Sequence, residues 1–373
     1  MYKIAIIGSG ILAKVFAERA RELNIESHCF SFNSNDVACK YVDFFHEVNV
    51  FDVDTITEIC KKNNVKGVIA TTELTIFSAA AVAKNLDLHG NNLDVAKEIT
   101  NKYLTRKKVA ELDGLHQPKF LTYIQGDIPE IDFFPAIVKP IAAGGKRGVC
   151  VVNNRTELET AINEALPYSK VKGVMIEEFL AGGSEYSVES LSYEGKNYII
   201  QVTEKDTSGP PRCNELGHHQ PAKITREMRT HVEEVISRAL TCAGIENGPC
   251  HTEIKIIDGK IYLIEINGRP GGDHITHPLV ELSTGYPIVS GIIWASLGLL
   301  QDHLPQNLKA IPSGIFFVTE ETAYLQELFD TCEQYPWLYE KHKINEGPSK
   351  IVFNDEEGLN YFIYHGEKPD INI

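Results

Sequence analysis

Two glutamates and an asparagine have the chemistry of a divalent-cation site. They lie in HTEIKIIDGKIYLIEINGRPGGD, residues 251–273, where apolar residues alternate along two predicted strands. A three-residue hairpin loop with Gly259 in the left-handed conformation places Glu253 and Glu265 on one face, whereas a two-residue loop separates them. Asn267 shares the face of Glu265 because it follows two residues later. Mg²⁺ prefers carboxylate and amide oxygens, so the segment predicts a magnesium site.

The surroundings of these acids favour a metal over the alternative of two solvent-exposed carboxylates. Glu265 interrupts an apolar run, and an unpaired carboxylate there is costly. Arg269 follows, just before Pro270 and two glycines. A guanidinium beside Mg²⁺ suits a phosphoryl group that gains charge during a reaction, although a surface arginine after a strand is the simpler alternative.

Upstream lysines and glycines predict phosphate contacts. Lys139 ends a predicted strand, and a glycine-rich loop follows it with Gly144, Gly145 and Gly148. A lysine with mobile glycines can clamp a phosphate, and the loop lacks the Gly-Lys-Ser/Thr ending of a Walker A motif. Lys102 lies one helical turn before Arg106, and this pair by itself is typical of a solvated helix face.

A strand that ends in EEFL is a less specific indication of nucleotide contacts. Its residues Glu177, Glu178 and Leu180 precede two glycines and Glu185. The backbone of a strand that leaves the fold there can offer a carbonyl and an N–H group to adenine. A carboxylate such as Glu185 can accept hydrogen bonds from ribose hydroxyls.

The N-terminal glycines permit a second class of function. Gly8, Gly10 and Ala13 follow a strand in the dinucleotide-binding pattern, which suggests an NAD-dependent oxidoreductase. The second strand ends in His28 to Asn33 without the acidic residue that an NAD ribose needs. This favours a tight turn that needs glycine for backbone reasons.

The elements that position these groups alternate between strand and helix over the first hundred residues. This spacing predicts an α/β fold that begins with a doubly wound parallel sheet. A helix is predicted over 94–113, a hairpin across Glu194 and Gly195, and a long helix over 226–243.

Composition excludes several classes of partner. The 36 Lys and Arg against 51 Asp and Glu give a net charge of −15, so we expect neither nucleic-acid nor membrane binding. The eight cysteines form no C-x-x-C pair and predict buried, reduced thiols. We expect a cytoplasmic protein without a signal peptide.

In this order, the pieces resemble the ATP-grasp superfamily, and within it the carboxylate–amine ligases that include L-amino-acid ligases. The matching pieces are Lys102 with Arg106, VKPIAAGGKRGV, IEEFLAGGSEYSVE, HTEIK and LIEINGRPGGD, and GHHQPA is similar to a stretch of those ligases. The resemblance implies an N-terminal domain over 1–100, an ATP-grasp domain over 101–300 and a C-terminal domain over 301–373. The ATP-grasp domain divides into a smaller lobe at about 115–172 and a larger one at about 173–300.

The resemblance also implies roles. Lys102 and Lys139 contact ATP phosphates, and Gly144 to Gly148 cover them as a lid. Glu178 and Leu180 bind adenine through their backbones, with Glu177 in the same nucleotide-binding group, and Glu185 binds the ribose. Glu253, Glu265 and Asn267 hold Mg²⁺, with Mn²⁺ as a substitute, and Arg269 stabilises an acyl phosphate.

The implied reaction joins a small-molecule carboxylate to an amine. The carboxylate attacks ATP to give an acyl phosphate and ADP, and the amine then displaces phosphate. A purine- or biotin-type ligase is the alternative within the class, and a non-catalytic nucleotide-binding scaffold is a third alternative. The oligomeric state stays open, with a homodimer suggested by the resemblance alone.

Two adjacent histidines are candidates for substrate contact. His218 and His219 lie between Gly209-Pro210-Pro211 and Pro221, which predicts an ordered loop rather than a strand. A neutral imidazole can orient a carboxylate or accept a proton from an attacking amine. We expect His218 to contact the carboxylate substrate, whereas the alternative is a pair of surface histidines.

Overall fold

The computed structural model describes residues 1–145, 147–351 and 358–371. Its strands are β1 (Lys3–Ile7), β2 (Glu26–Ser31), β3 (Phe44–Glu47), β4 (Gly67–Ala70), β5 (Leu115–His116), β6 (Phe120–Tyr123), β7 (Ala136–Pro140), β8 (Cys150–Val152), β9 (Val174–Glu178), β10 (Ser184–Tyr193), β11 (Lys196–Thr207), β12 (Glu215–Gln220), β13 (Gly248–Ile257), β14 (Lys260–Asn267), β15 (Ser313–Val318), β16 (Leu338–His342) and β17 (Asn360–His365). Its helices are α1 (Ile11–Glu22), α2 (Val53–Asn63), α3 (Ile76–Asn85), α4 (Leu93–Ile99), α5 (Lys102–Lys108), α6 (Arg155–Ala165), α7 (Arg226–Ala243), α8 (Glu281–Thr284), α9 (Ile288–Ser296) and α10 (Gln326–Thr331).

The N-terminal segment forms a parallel sheet in the order β3-β2-β1-β4. Successive residues of β1 point to opposite faces, so Ile4 and Ile6 pack with α1 and α9, whereas Ala5 and Ile7 pack with α2 and α3. Both faces of the sheet are therefore covered, which confirms the predicted doubly wound arrangement.

The middle of the chain forms two further sheets. The smaller sheet has the order β6-β9-β7-β8, and α6 packs on it through Leu158 and Ile162. The larger sheet, over the described residues, has the order β16-β17-β15-β12-β11-β10-β13-β14-β5. Its apolar face packs on α7, and the strands β15, β16 and β17 after residue 301 continue the same sheet. The candidate site residues of its central strands lie on the other face.

Two predicted elements differ in the structure. The helix predicted over 94–113 is broken into α4 and α5, because the Asn101 side chain caps α5 by accepting hydrogen bonds from the N–H groups of Tyr103 and Leu104. The loop predicted around His218 is strand β12, which lies between β11 and β15. Pro221 directly follows this strand and Gly209-Pro210-Pro211 lie in the loop before it, which is why these residues misled the prediction.

The predicted hairpin across Glu194 and Gly195 and the helix over 226–243 are confirmed by β10, β11 and α7. All eight cysteines are free thiols, although Cys39 and Cys150 are partly exposed and Cys242 is exposed, so the prediction of burial fails at these three. Within the described residues, every helix is too short or too polar to cross a membrane.

An ion pair joins α1 to the later part of the chain, and we expect it to govern acid stability. Arg19 donates from both terminal nitrogens to Glu281, at 3.0 and 2.8 Å. Burial opposes ionisation of Glu281, but His277, whose Nδ1 lies 3.4 Å from Glu281 Oε2, and the hydrogen bonds from Arg19 lower its pKa to about 2. A lowered pKa stabilises the fold above the unfolded value of about 4.5, and this stability is lost as the pH falls towards 2.

Glu281→Gln is therefore expected to lower the free energy of unfolding by about 2 kcal/mol at pH 7 and to change it little near pH 2. Urea unfolding at several pH values measures this difference. Glu22→Gln is the matched control, because Glu22 also contacts Arg19 but its side chain is 69% exposed. Equal losses for the two variants at pH 7 would contradict this role for the buried pair.

Candidate active site

The hairpin of β13 and β14 places the two predicted metal-binding glutamates opposite each other. Glu253 pairs directly with Glu265, and His251 pairs with Asn267. Directly opposed residues in an antiparallel pair share a face, so the predicted arrangement is present. The predicted reason for it is wrong: β13 and β14 are joined by a two-residue turn, and a β-bulge restores the common face. Ile254 pairs with Leu263, so Ile264 is the extra residue.

The side chains of this hairpin suit a hard cation. The Asn267 side chain is 2% exposed, and its Oδ1 has no hydrogen-bond partner among the described residues. A buried, unsatisfied amide oxygen is costly unless a ligand completes it. Burial opposes ionisation of Glu253, but Lys205 and His251 hold its pKa well below its usual range. These oxygens, with those of Glu265, fit Mg²⁺.

Lys102 reaches this hairpin from the first turn of α5. Its Nζ lies 2.6 Å from Glu265 Oε1 and 3.7 Å from Glu73 Oε1, and it donates to the carbonyl of Ala143 at 2.9 Å. Burial disfavours the charge, yet Glu265 and Glu73 raise the pKa of the ammonium above its usual value. The prediction of a solvated face is wrong, because Lys102 and Arg106 are 9% and 1% exposed.

Lys139 is held by a buried ion-pair chain. Its Nζ lies 2.5 Å from Glu177 Oε2, and the other oxygen of Glu177 accepts a hydrogen bond from Arg106 Nε. Burial lowers the pKa of Lys139, and the charge of Arg106 lowers it further, against the pull of Glu177. The Glu177 side chain therefore orients Lys139. The backbone of Glu177 belongs to β9, the strand that precedes the predicted adenine-binding residues.

The predicted adenine and ribose residues lie beside Lys255. Lys255 Nζ donates to the carbonyl of Leu180 at 2.8 Å and lies 3.8 Å from Glu185 Oε1. The N–H group of Glu178 donates to the carbonyl of Lys119 at 2.8 Å, at the edge of the smaller sheet. A cleft of about 380 Å³ opens at the ends of β10 and β11, and Glu185, Lys205 and Lys255 line it.

The glycine-rich loop lies next to Glu73. A Cβ atom on Gly144 would approach Glu73 Oε2 to 2.7 Å, so a larger residue there would displace the Glu73 carboxylate. Gly145 and Gly148 have φ values of 69° and 71°, which most other residues rarely adopt. Lys146 of the predicted lid lies outside the described residues.

A buried lysine links the hairpin to β12. Lys205 Nζ lies 2.8 Å from Glu253 Oε1 and 2.9 Å from Glu215 Oε1, and although burial opposes the charge, these carboxylates raise its pKa well above the usual value. Glu215, His218 and Asp273 also bring ligand atoms within 4.8 Å of one another.

The two adjacent histidines of β12 lie on opposite faces of the sheet. His218 pairs with Lys205 and therefore shares its face. Its Nε2 is 3.1 Å from Glu215 Oε2, and its Nδ1 has no hydrogen-bond partner among the described residues. Burial lowers the pKa of His218, which leaves a neutral imidazole near pH 7. His219 lies on the other face, where it contacts Asp206 and the Tyr364 hydroxyl.

Arg269 donates a hydrogen bond from Nη1 to the carbonyl of Pro270 at 2.8 Å, and its positive charge favours the ionised form of the Glu73 carboxyl group.

The loop after Arg269 packs against His251: a Cβ atom on Gly271 would lie 2.8 Å from His251 Nδ1. His251 bridges Glu189 and Glu253, at 2.7 and 3.3 Å. Burial opposes its protonation, but these two carboxylates raise its pKa to about 9.

Sequence reasoning missed several residues of this face, which are Glu73, Glu189, Lys205, His251 and Lys255. Lys205 lies between Glu204 and Asp206, Glu189 precedes Ser190 and His251 precedes Thr252, so none of the three interrupts an apolar run as Glu265 does. Their partners lie on other strands, so the pairing register was needed to interpret them. Glu73 has no local signal, because it follows β4 of the N-terminal sheet and its partner Lys102 lies on a later helix.

The N-terminal glycine turn is filled by the protein's own side chains. Ser9 donates to Asp36, and the Ala38 N–H group donates to the Ser9 carbonyl at 3.1 Å. A carboxylate therefore lies beside the turn where a dinucleotide phosphate would need space. This arrangement agrees with the structural explanation of Gly8 and Gly10.

Comparisons with known proteins identify similar sequences and similar folds. Residues 132–277 match the family model of the ATP-grasp domain. A carbamoyl phosphate synthase large chain of Halobacterium salinarum is 25% identical in a 309-residue alignment that covers 76% of this chain and 28% of that protein. The chain thus spans under a third of the length of this curated relative.

Solved structures are similar over nearly the whole chain. An L-amino acid ligase from Bacillus licheniformis has a TM-score of 0.82 at 22% identity, over 99% of this chain and 94% of that chain. The biotin carboxylase domain of a Hydrogenobacter thermophilus 2-oxoglutarate carboxylase, solved with MgADP, ADP and bicarbonate, has a TM-score of 0.74 at 15% identity, over 97% and 86%. The chain therefore has the ATP-grasp fold, and its residues 132–277 match the ATP-grasp domain model, as the sequence resemblance predicted.

Proposed function

We propose that the protein is an ATP-dependent ligase that activates a carboxylate as an acyl phosphate and joins it to an amine, with release of ADP and phosphate. The observation that carries the proposal is the position of Lys102 between Glu265 and the glycine-rich loop, through its contacts of 2.6 Å to Glu265 and 2.9 Å to the Ala143 carbonyl. A cation beside a paired-carboxylate hairpin and a glycine loop suits the phosphates of a bound nucleotide.

Glu253, Glu265 and Asn267 are the residues that would hold Mg²⁺. The unsatisfied Oδ1 of Asn267 and the opposed carboxylates fit the ion. When bound, Mg²⁺ supplies positive charge that offsets the charge on the transferring phosphoryl group.

The chain's own residues would divide the reaction between them. Lys102 and Lys139 bind and orient the phosphates, so that a carboxylate oxygen attacks the γ-phosphorus and the bond to ADP breaks. Arg269 then stabilises the acyl phosphate and the tetrahedral state that forms when the amine nitrogen attacks the acyl carbon. The carbon–oxygen bond to phosphate breaks last. No covalent intermediate with the protein is required.

His218 would serve the carboxylate substrate or the attacking amine. The nitrogen needs a free lone pair, so an ammonium group must lose a proton before it attacks. A neutral imidazole with a buried, unpartnered Nδ1 is able to accept that proton when Nε2 carries the ring hydrogen, or to donate a hydrogen bond to a carboxylate when Nδ1 carries it. Glu215 contacts the other ring nitrogen, which holds the ring orientation.

We propose an amino acid as one substrate. Two points support this: the similarity to the L-amino acid ligase extends over 99% of the chain, and acidic and basic side chains lie together on the site face. A purine- or biotin-type substrate is the alternative within the class, because the carbamoyl phosphate synthase and biotin carboxylase relatives share the domain. A cytoplasmic location and a homodimer stay predictions.

An assay of ADP release across single amino acids and amino-acid pairs, with mass detection of products, tests the proposal. We expect ADP release to require two substrates, and the product mass to equal their sum less one water. ADP release with bicarbonate alone would favour the biotin-type alternative. An absence of ADP release under every condition, from a protein that binds MgATP, would favour the non-catalytic scaffold.

His218→Gln is expected to lower the ligation rate by about 10²-fold or more while the affinity for ATP changes little, because the side chain acts on the second substrate and not on the nucleotide. His219→Gln is the matched control, since this neighbour faces the opposite side of the sheet. Nucleotide binding by calorimetry and product formation by mass spectrometry give the two readouts. An equal loss of ATP affinity and ligation would place His218 in the nucleotide site instead.

A further inference from the structure

One buried guanidinium connects the hairpin of β13 and β14 to the smaller sheet. Arg106 donates from Nη1 to the carbonyl of Leu263 at 2.8 Å and from Nη2 to the carbonyl of Ile264 at 3.1 Å. Its Nε donates to Glu177. All three nitrogens of the planar group therefore donate hydrogen bonds, and the side chain is 2% exposed.

The two carbonyls belong to the bulge that sets the faces of the hairpin. Ile264 is the extra residue between the pairs Ile254–Leu263 and Glu253–Glu265. A strand alternates its side chains with a period of two, so a hairpin without the bulge would turn Glu265 away from Glu253. The register of the bulge thus decides whether two carboxylates can bind one ion.

Strand β5, which flanks β14 on the side away from β13, does not pair with the bulge. Strand β5 pairs with β14 at Ile261 and Tyr262, and the next two carbonyls along β14 are those that Arg106 binds. Buried carbonyls need donors, and a bulge disrupts the ladder that would supply them. The guanidinium provides two donors in a fixed geometry, which a lysine cannot reproduce.

We propose that Arg106 is a positioning residue, which holds the bulge at Ile264 so that Glu265 stays opposite Glu253 and the metal site is formed before the ion binds. This inference rests on the proposed function of the hairpin as the Mg²⁺ site. Lys102, one turn earlier on α5, contacts Glu265 itself, so the same helix fixes both the backbone and the carboxylate.

Arg106→Lys tests the proposal, because it retains a charge for Glu177 but loses the fork that binds two carbonyls. Arg155→Lys is a matched control: Arg155 also donates from Nη1 and Nη2 to two consecutive carbonyls, those of Pro129 and Ile128, and from Nε to Glu159. Its contacts lie beside the smaller sheet, away from the hairpin.

The readout is Mn²⁺ binding in the presence of ADP, followed by the electron paramagnetic resonance signal of free Mn²⁺, together with ADP affinity in EDTA. We expect Arg106→Lys to weaken Mn²⁺ binding by about tenfold or more, with ADP affinity in EDTA changed by less than about threefold. Arg155→Lys is expected to match the wild type in both. Unchanged Mn²⁺ binding in Arg106→Lys, or an equal loss in both variants, overturns the proposal.

A second measurement on the wild-type protein covers the case in which Arg106→Lys does not fold. Hydrogen exchange in EDTA is expected to show slow exchange of the amides of residues 263–267, because the bulge is held without metal. Rapid exchange there in EDTA, with protection only after Mn²⁺ and ADP are added, overturns the proposal. A wild-type protein that binds ADP without any effect of Mn²⁺ contradicts the proposed function itself, which separates the two failures.

Discussion

Glu265→Gln is expected to lower Mg²⁺-dependent ADP formation about a thousandfold while the fold is retained. Glu265 lies opposite Glu253 and shares its face with Asn267, so the substitution removes one of the two opposed carboxylates. Loss of charge stabilisation in the transition state is worth about 4 kcal/mol, which corresponds to the expected change in rate. The glutamine oxygen is able to accept a hydrogen bond from Lys102, which should preserve the local packing.

Asp258→Asn is the control for this substitution. It removes a carboxylate from the exposed turn of the same hairpin, where asparagine tolerates the observed φ of 50°. Steady-state ADP release and thermal unfolding should be measured for both variants. Near-normal turnover by Glu265→Gln would refute the metal assignment, and loss of turnover by Asp258→Asn would show that the assay reports general damage to the hairpin.

Lys139→Met is expected to weaken ATP binding by about 10- to 100-fold and to slow phosphoryl transfer. Methionine keeps most of the buried volume of the lysine stem, and Glu177 retains Arg106 as a partner, so no buried charge is left unpaired. The loss should therefore report the missing contact to the phosphates rather than unfolding. Calorimetric titration of ATP with Mg²⁺ measures the affinity directly.

Lys119→Met is the matched control, because Lys119 precedes β6 of the same sheet but its side chain is 60% exposed. The wild type should also be heated with each nucleotide. MgATP at 100 times its dissociation constant should stabilise the protein by about 2.7 kcal/mol, whereas NAD should not. Stabilisation by NAD but not by MgATP would favour the oxidoreductase, and equal affinities of the two lysine variants would remove Lys139 from the nucleotide site.

The β13–β14 hairpin and its candidate metal ligands could be predicted from the sequence because alternation of apolar residues and the cost of a lone buried carboxylate are local properties. Its register could not be derived, since the bulge at Ile264 depends on Arg106, more than 150 residues earlier in the chain. The sequence analysis placed Glu253 and Glu265 on one face by assuming a three-residue loop, whereas the structure has a two-residue turn and a bulge. A two-residue turn with one bulge and a three-residue turn are equivalent for the alternation of side chains.

The cations of the site were harder to predict than the carboxylates. Lys102 and Arg106 look like a solvated pair on a short helix, and only the acids they meet across the sheets make their burial favourable. Lys205 contacts Glu215 and Glu253 from a strand between them, which no spacing in the sequence reveals. Strand β12 was not predicted, because the glycine and prolines before it and the proline after it are typical of a loop.

Transfer of oxygen from the carboxylate to phosphate tests the central claim most directly. A carboxylate substrate labelled with ¹⁸O in both oxygens should be incubated with MgATP and an amine, and the released phosphate analysed by mass spectrometry. An acyl phosphate intermediate requires a carboxylate oxygen to attack phosphorus, so one ¹⁸O should appear in the phosphate for each ADP formed. Phosphate without ¹⁸O, released together with ADP and ligated product, would contradict the account.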